Sequence, residues 1–420
     1  MDRPGAVSVV RRLLHRRDVR RVELAYAGFI SAEFGTWVAI LVYAYERGGA
    51  TGAALAALAQ LLPASVAAPL LSGLVDRRGG ATVLRLGYLC QAAGFAAVAT
   101  LILISAPPAL VYATAIVTAC AVTMTRPAQA ALIPSLVRDA DELTAINTLS
   151  GWSEAISDLA GTALAGALIA IEGPGVAIAW FGLVLIVSAA LVATVNPGEP
   201  YVTEPEEVSD LRGGLIALRE DRGLAGVVAV LGAEYLVIGV LDVLLVVLAI
   251  GVLEMGESGA GYLSAAFGAG GILGSVAALS LIGRRRLASP LIAAAVGWAA
   301  LMVALGAWPT VGGAFLLLAI AGAARTVVEV AGRTMLLRGA PAEVRGRVFG
   351  LLEGVSMLGL ALGSLLVLGM VALAGAGMAL VATGVLLSLV TLATAARVHR
   401  ADRSAPLNAP SAAPAAAVVP

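Results

Sequence analysis

Ser72-Gly73-Leu74-Val75-Asp76-Arg77-Arg78-Gly79-Gly80-Ala81-Thr82-Val83-Leu84 is a charged stretch between two long apolar runs, and the reading of the whole chain turns on it. Only Asp76, Arg77 and Arg78 carry charge there. A connection this short makes its two flanking segments antiparallel neighbours, and its paired arginines mark which side of a membrane it occupies.

Composition supports the membrane. Of 420 residues, 60% are hydrophobic and 13% charged, against roughly 45–50% and 25% in soluble domains, so polar surface is too scarce to cover a water-soluble body. Charge-free runs extend over Gly48 to Val75, Leu86 to Thr125, Gly173 to Gly198, Leu287 to Ala324 and Gly354 to Ala396. A spanning helix needs about 20 apolar residues, so the shorter runs hold one span and the longer ones two. Formal net charge is zero, which gives no ground for a nucleic-acid partner, and every basic residue is an arginine. Cys90 and Cys120 both fall inside apolar runs. They read as packing residues, with no disulfide or metal site indicated. No removable signal peptide is expected.

Outward from the opening stretch, the pattern predicts an all-α integral membrane protein of twelve spans. A basic N-terminus, residues 1–22, carries seven arginines. An N-terminal six-helix bundle follows over 23–196, with spans at about 23–45, 51–75, 82–105, 109–134, 143–170 and 174–196. A polar linker occupies 197–222, its proline-rich first part extended and its second part suited to lie on the membrane surface. A second bundle covers 223–396, with spans at about 223–252, 258–282, 288–306, 311–338, 343–373 and 376–396. The Pro/Ala-rich tail, 397–420, is expected to be disordered. With residues 1–22 inside, the outer loops hold one arginine, Arg47, against Glu46, Glu172, Glu254 and Glu257. That asymmetry predicts both termini in the cytoplasm, and the arginine-only, Ala/Gly/Val-rich composition suggests a bacterial inner membrane.

The two halves repeat. Arg126 and Arg325 lie 199 residues apart, as do Glu154 and Glu353, while Glu33 and Glu234 lie 201 apart. These pairs place equivalent charges on spans 1, 4 and 5 of one half and on 7, 10 and 11 of the other, as a duplicated bundle would.

An ionisable side chain inside the bilayer costs several kcal/mol unless paired or hydrated, so each one is a candidate for a cavity or proton path. Glu33 lies roughly 15 Å from the inner end of span 1, near the midplane, and Glu234 has a similar depth in span 7. Glu154 is comparable, and Asp158, one turn further along the same face, makes the two a candidate proton-carrying pair. Glu33, Glu154, Asp158 and Glu234 are therefore the candidate proton or substrate sites, with Arg126 and Arg325 as their partners. Other readings stand beside these. Arg325 and Glu329, four apart, can form an internal ion pair. Arg126 can snorkel, pair across helices or serve an inner gate. Glu33 can be a structural partner of Arg325, and Asp242 and Glu353 can face loop water. His15 and His399 read as solvated surface residues. Gly268, Gly271 and Gly274, Gly161 with Gly166, and Gly359 with Gly363 have the spacing of close helix packing. No enzyme constellation is present: no span holds a histidine, and there is no phosphate-binding loop.

The opening stretch is similar to the loop signature of the major facilitator superfamily of secondary transporters, Gly-x-Leu-Ala-Asp-Arg-x-Gly-Arg-Arg-x-x-Leu. Leu74, Asp76, Arg77, Gly79 and Leu84 match; Ser72 replaces the first glycine, and Gly80 and Ala81 replace the basic pair. The resemblance covers about residues 20 to 396. It implies that Asp76, Arg77 and Gly79 form a gating loop, with Asp76 held against the positive end of span 11. Losing the basic pair is expected to loosen that latch. The matching loop after span 8, Gly283-Arg284-Arg285-Arg286, has no aspartate.

Arg126-Pro127-Ala128-Gln129 is similar to the family's Arg-x-x-Gln signature on span 4, which implies proton coupling for Arg126. With Ala131-Leu132-Ile133-Pro134, Glu142-Leu143 and Asn147, it resembles the exporter branch that includes the enterobactin exporter; Gly161-Thr162 lacks the proline that exporters often have in span 5. The expectation is a monomeric secondary transporter working by alternating access. It would export a small amphipathic, drug-like or siderophore-like compound in exchange for protons, with no cofactor and the proton gradient as energy source. A nutrient importer and a non-transporting membrane receptor or scaffold are the alternatives.

Overall fold

A computed structural model describes residues 13, 15–138, 140–195, 218, 219, 221–281, 284, 286–340 and 342–404, apart from the side chains of 68–70, 72–77, 134, 140, 141, 143–145, 147, 148, 279, 342–347, 350, 353 and 404. Among these residues the chain is helical throughout, as its apolar runs demand: in lipid, a backbone satisfies its own polar groups most simply in a helix. Ten helices are long and apolar enough to cross a membrane, and two of them, Arg17–Ala67 and Gly354–Arg403, are long enough to cross twice.

The long ones are broken by glycine. Helix Arg17–Arg78 turns back at Gly49 (φ 58°, ψ −152°), and helix Ala342–Ser404 turns at Gly375 (φ 77°, ψ 169°). This yields twelve spans: 17–48, 50–78, Gly80–Leu103, Pro108–Leu132, Ala140–Glu172, Pro174–Ala193, Arg222–Val252, Gly259–Ala278, Ala288–Ala307, Val311–Gly339, 342–374 and 376–404. Span 7 ends in a π-helical turn, Val247–Val252.

Three boundaries differ from expectation. The charged stretch after span 2 is not a loop: the helix runs through Arg78, Gly79 alone is non-helical (φ 76°, ψ 148°), and span 3 begins at Gly80. A positive φ is open to glycine without steric penalty, so one residue replaces a loop that any other sequence would need to lengthen. The next glycine is required by space, since a Cβ on Gly80 would lie 2.6 Å from Ala128 O and 2.8 Å from Leu132 N of span 4. The helices also outrun the apolar pattern at both ends, beginning at Arg17 and reaching Ser404. Most of the expected linker, 197–222, and of the tail lies outside the described residues, as do the side chains of Asp76 and Arg77.

Small residues bring the helices together where no hydrophobic force acts between them. A Cβ on Gly274 of span 8 would lie 2.5 Å from Ala323 O of span 10, and one on Gly359 of span 11 would lie 3.0 Å from Gly232 O of span 7. Cys90 is exposed on span 3, where packing was expected. Asp402 ties span 12 to span 9 by accepting the backbone N–H groups of Leu287 and Ala288 at 3.1 and 3.2 Å.

Both described ends of the chain, with Gly79, fall at one end of the bundle, and Gly49, Gly173 and Gly375 at the far end. The halves meet at that far end. A Cβ on Gly261 of span 8 would lie 2.6 Å from the Gly166 Cα of span 5, and one on Gly251 of span 7 would lie 2.5 Å from the Tyr45 hydroxyl of span 1. One apolar core runs through the first half and into the far end of the second, from Val22 and Phe29 to Leu248, Leu263 and Leu305. The terminal end of the second half has a separate core, including Leu224, Leu291 and Leu336. Among the described residues the apolar core is thus continuous between the halves at the far end and divided at the terminal end.

Candidate functional site

Arg126 owes its position to Pro127. A proline has no N–H to offer the carbonyl four residues back, here that of Thr123, and span 4 accordingly breaks into Pro108–Val122 and Thr125–Leu132. Gln91 of span 3 supports the break, its amide donating to Thr125 Oγ1 at 2.9 Å and to Ala121 O at 3.3 Å. The Arg126 guanidinium leaves this turn and bridges two helices. Nη1 binds Glu33 Oε1 of span 1 at 2.9 Å, and Nη2 binds Glu154 Oε1 of span 5 at 3.1 Å. Tyr26, two turns before Glu33 on the same face, donates its hydroxyl to Glu154 Oε2 at 3.4 Å. The Phe29 ring lies beneath the guanidinium at 5.8 Å and stacks on Tyr26.

Glu33 therefore pairs with Arg126 within its own half, not with Arg325. The side chains of Arg126 and Glu33 keep 30% and 23% of their surface exposed, whereas Glu154 keeps 6%. This half of the site is open, and its second Glu33 oxygen is buried without a hydrogen-bond partner.

The second half uses the same residue types differently. Arg325 binds Glu234 Oε1 of span 7 at 3.2 Å through Nε, and Glu329 Oε2 of its own helix at 3.2 Å through Nη2. Arg333 closes on Glu329 Oε1 at 3.3 Å from one turn beyond. The Tyr235 hydroxyl accepts from Arg333 Nη2 at 3.2 Å and donates to Glu329 Oε1 at 3.3 Å. Among the described residues two carboxylates and two guanidinium groups meet here, and the acids are sealed, with Glu234 at 0% and Glu329 at 2% exposure, Glu234 held by the ion pair alone without a hydrogen bond. The spacing 325, 329, 333 puts all three charges on one stripe of span 10.

Between the halves stand two further carboxylates. Asp158 of span 5 interacts with Glu33 and Glu154 on its own side and with Arg325 and Asp242 across the seam. Asp242 of span 7 lies within electrostatic reach of Arg325 and near the Trp37 indole of span 1. Asp242 is half-buried in mid-span 7, away from the connecting turns; the side chain of Glu353, the repeat counterpart of Glu154, is outside the described residues.

The structure thus joins Glu33, Arg126 and Glu154 in one group and Glu234 and Arg325 in another, with Asp158 between them. Sequence reasoning passed over Tyr26, Gln91, Tyr235 and Arg333. Helical spacing from Glu33 and Glu329 would have found Tyr26 and Arg333; Gln91 stood out only as a polar residue in a charge-free run. No group of histidine, cysteine and acidic residues able to hold a metal occurs among the described residues.

Two helical halves packed around charged groups in mid-span have the architecture of a membrane transporter. The major facilitator superfamily model matches residues 24–364, and the chain belongs to that superfamily. Among solved structures, it is similar to a bacterial homologue of the human lysosomal transporter Spinster in an inward-facing, unoccupied conformation, at 15% identity, 91% coverage of this chain and 96% of that one, and a TM-score of 0.65. The nucleoside transporter NupG aligns at 13% identity, 91% and 99% coverage, and a TM-score of 0.70. An auto-inhibited peptide transporter of the POT family aligns at 14% identity, 91% and 97% coverage, and a TM-score of 0.67. No curated protein matches the chain in sequence.

Proposed function

We propose that the chain is a proton-coupled exporter of a small amphipathic compound in a bacterial inner membrane, with both termini cytoplasmic. The observation that carries this reading is the unequal exposure of the two charge groups. Arg126 and Glu33 remain 30% and 23% exposed, while Glu234 and Glu329 are shut away at 0% and 2%. A coupling group must exchange protons with one compartment at a time, so the open group is the carrier and the sealed one its rigid counterpart. A proton reaching Glu33 removes one of the two charges that hold Arg126, and the guanidinium then rests on Glu154 alone. Loss of that bridge between spans 1, 4 and 5 loosens the first half for the change of access, and release of the proton restores it. With the terminal end cytoplasmic, the conformation described above faces inward. Asp76, Arg77 and Gly79 at that end are proposed to act as the inner latch, with Gly79 making the turn.

The test is Glu33→Gln. In proteoliposomes under an imposed pH gradient, the variant loses coupled transport while purifying as a folded monomer. Unchanged transport in that variant would sink the proposal, and accumulation of substrate in right-side-out vesicles would reverse its direction.

A further inference from the structure

One buried acid belongs to neither charge group. Glu23 lies about 9 Å along span 1 from its start at Arg17, between the terminal end of the bundle and the Arg126 group. It is 5% exposed and makes no ion pair among the described residues. Arg20, one turn earlier, is exposed, while Arg21 pairs with Asp18 and Arg16 with Glu142. Ser150 of span 5 is what meets Glu23: its Oγ stands 2.7 Å from Glu23 Oε1 and 3.0 Å from Ile146 O. A hydroxyl has one hydrogen, and a backbone carbonyl can only accept. When the serine hydrogen goes to Ile146 O, the usual back-bond of a helical serine, the short contact with Glu23 takes its hydrogen from the carboxyl. The other oxygen, Oε2, is buried with no partner. A carboxylate so enclosed and without a cation is far more costly than a neutral carboxyl, and such a group takes up a proton instead.

Glu154 is the contrast. It receives the Tyr26 hydroxyl at 3.4 Å and Arg126 Nη2 at 3.1 Å, and the guanidinium keeps it charged. Tyr26 follows Glu23 by one turn of span 1, and Glu154 follows Ser150 by one turn of span 5, so the two contacts are successive rungs between the same two helices. A proton-bearing acid and a charged one thus follow each other along one seam, with a hydroxyl between them. Spans 1 and 5 are held together beyond these rungs, where Ser31 Oγ donates to Ser157 O at 3.0 Å and a Cβ on Gly161 would lie 2.4 Å from Ser31 O. Span 3 brings Tyr88 against Phe29 at 6.0 Å, fully buried and with its hydroxyl unpartnered. Span 4 brings Arg126. Span 6, packed on span 1 at Gly28 and Ser188, has no titratable residue.

We propose that Glu23 is a second proton-holding residue, which passes protons between the Arg126 group and the terminal end by way of Tyr26, inside the first half. This rests on the proton-coupled reading and adds the route its protons take. In the step itself, Glu23 gives its proton to the Tyr26 hydroxyl oxygen as Tyr26 gives its own to Glu154 Oε2. Glu154 becomes neutral, Glu23 becomes a carboxylate and the tyrosine ends unchanged. Arg126 then keeps Glu33 alone. The reverse step recharges Glu154, restores its hold on Arg126 and returns the proton to Glu23, one turn nearer the terminal end.

Two measurements on the full chain test this with the proton as the only probe. Infrared spectra of the purified protein at neutral pH contain the carbonyl band of a protonated carboxylic acid, which moves down on deuteration. Glu23→Gln removes that band, and Ser150→Ala shifts it. In the second measurement the protein is reconstituted on a solid-supported membrane, and a pH jump drives protons onto it as a transient current. Glu23→Gln and Tyr26→Phe each slow this charge movement by about tenfold or more, with thermal midpoints close to the parent's. The amide of Glu23→Gln can still donate to Ser150, so a purely structural role predicts unchanged charge movement in that variant. A parent-minus-variant spectrum without the carboxyl band, or charge movement unchanged in both variants, overturns the proposal. A parent that moves no charge on the pH jump overturns the proton-coupled reading itself. Charge movement lost in Glu33→Gln but unchanged in Glu23→Gln and Tyr26→Phe overturns the route and leaves proton coupling standing.

Discussion

Glu329→Gln should destabilise the fold far more than Glu33→Gln. Glu329 is 2% exposed and receives Arg325 at 3.2 Å, Arg333 at 3.3 Å and Tyr235 at 3.3 Å. Converting it to the amide removes the negative charge that meets both Arg325 and Arg333 in a buried group. Breaking a buried pair by removing one partner costs about 3–5 kcal/mol, because the remaining charge stays buried. Glu33 makes one 2.9 Å contact and is 23% exposed, and Arg126 keeps Glu154. Its loss resembles that of a partly solvated pair, about 1 kcal/mol or less. With roughly 2–4 °C per kcal/mol for a folding unit of the size of one half, Glu329→Gln lowers the thermal midpoint in detergent by about 6–20 °C, and Glu33→Gln by about 2–4 °C at most. Differential scanning fluorimetry of both variants reads this directly. Equal midpoints for the two, or a larger fall for Glu33→Gln, would refute the assignment of a rigid second half and an adjustable first.

Gln91→Leu removes both donors that support the broken turn below Arg126; transport falls at least tenfold while the midpoint drops by only a few degrees, checked in proteoliposomes and by scanning fluorimetry. Gly261→Val places side-chain atoms against Gly166 backbone and Thr162 O, none of which can yield. The far end is wedged apart, and a cysteine probe there becomes labelled where the parent is protected. Gly49→Ala meets no neighbouring atom but adopts φ 58°, so its cost is backbone strain of roughly 1–2 kcal/mol, seen as a small midpoint shift with unaltered transport.

Much of the fold lies in one-dimensional properties of the chain. The apolar runs specify helices of membrane length because a backbone in lipid has few other ways to satisfy its hydrogen bonds. The recurrence of Arg126 and Glu33 at Arg325 and Glu234 marks a duplicated bundle. The turn after span 2 was harder to read, because the signature suggested a loop where Gly79 alone makes the reversal. A positive φ is a local backbone property, and a pair of glycines does not say which of them will use it.

The partnerships were decided by the tertiary structure. From spacing, Arg325 with Glu329 is a natural pair, and the structure adds Arg333 and Tyr235 to it. Nothing local could tell that Glu33 meets Arg126 across 93 positions of sequence. Nor does the repeat reveal that two homologous arginines end up in unlike surroundings, one bridging acids of two other helices with Glu33 partly open, the other held by the sealed Glu234 and Glu329. A sequence records which charges enter the bilayer; their depth follows from helical rise. Which of them meet, and which remain in contact with water, depends on how twelve helices tilt and where the core of two halves divides, and those are properties of packing between segments far apart in the chain. The arginine pair of the stretch that opened the reading, with its aspartate, marks the end of the bundle at which that core divides.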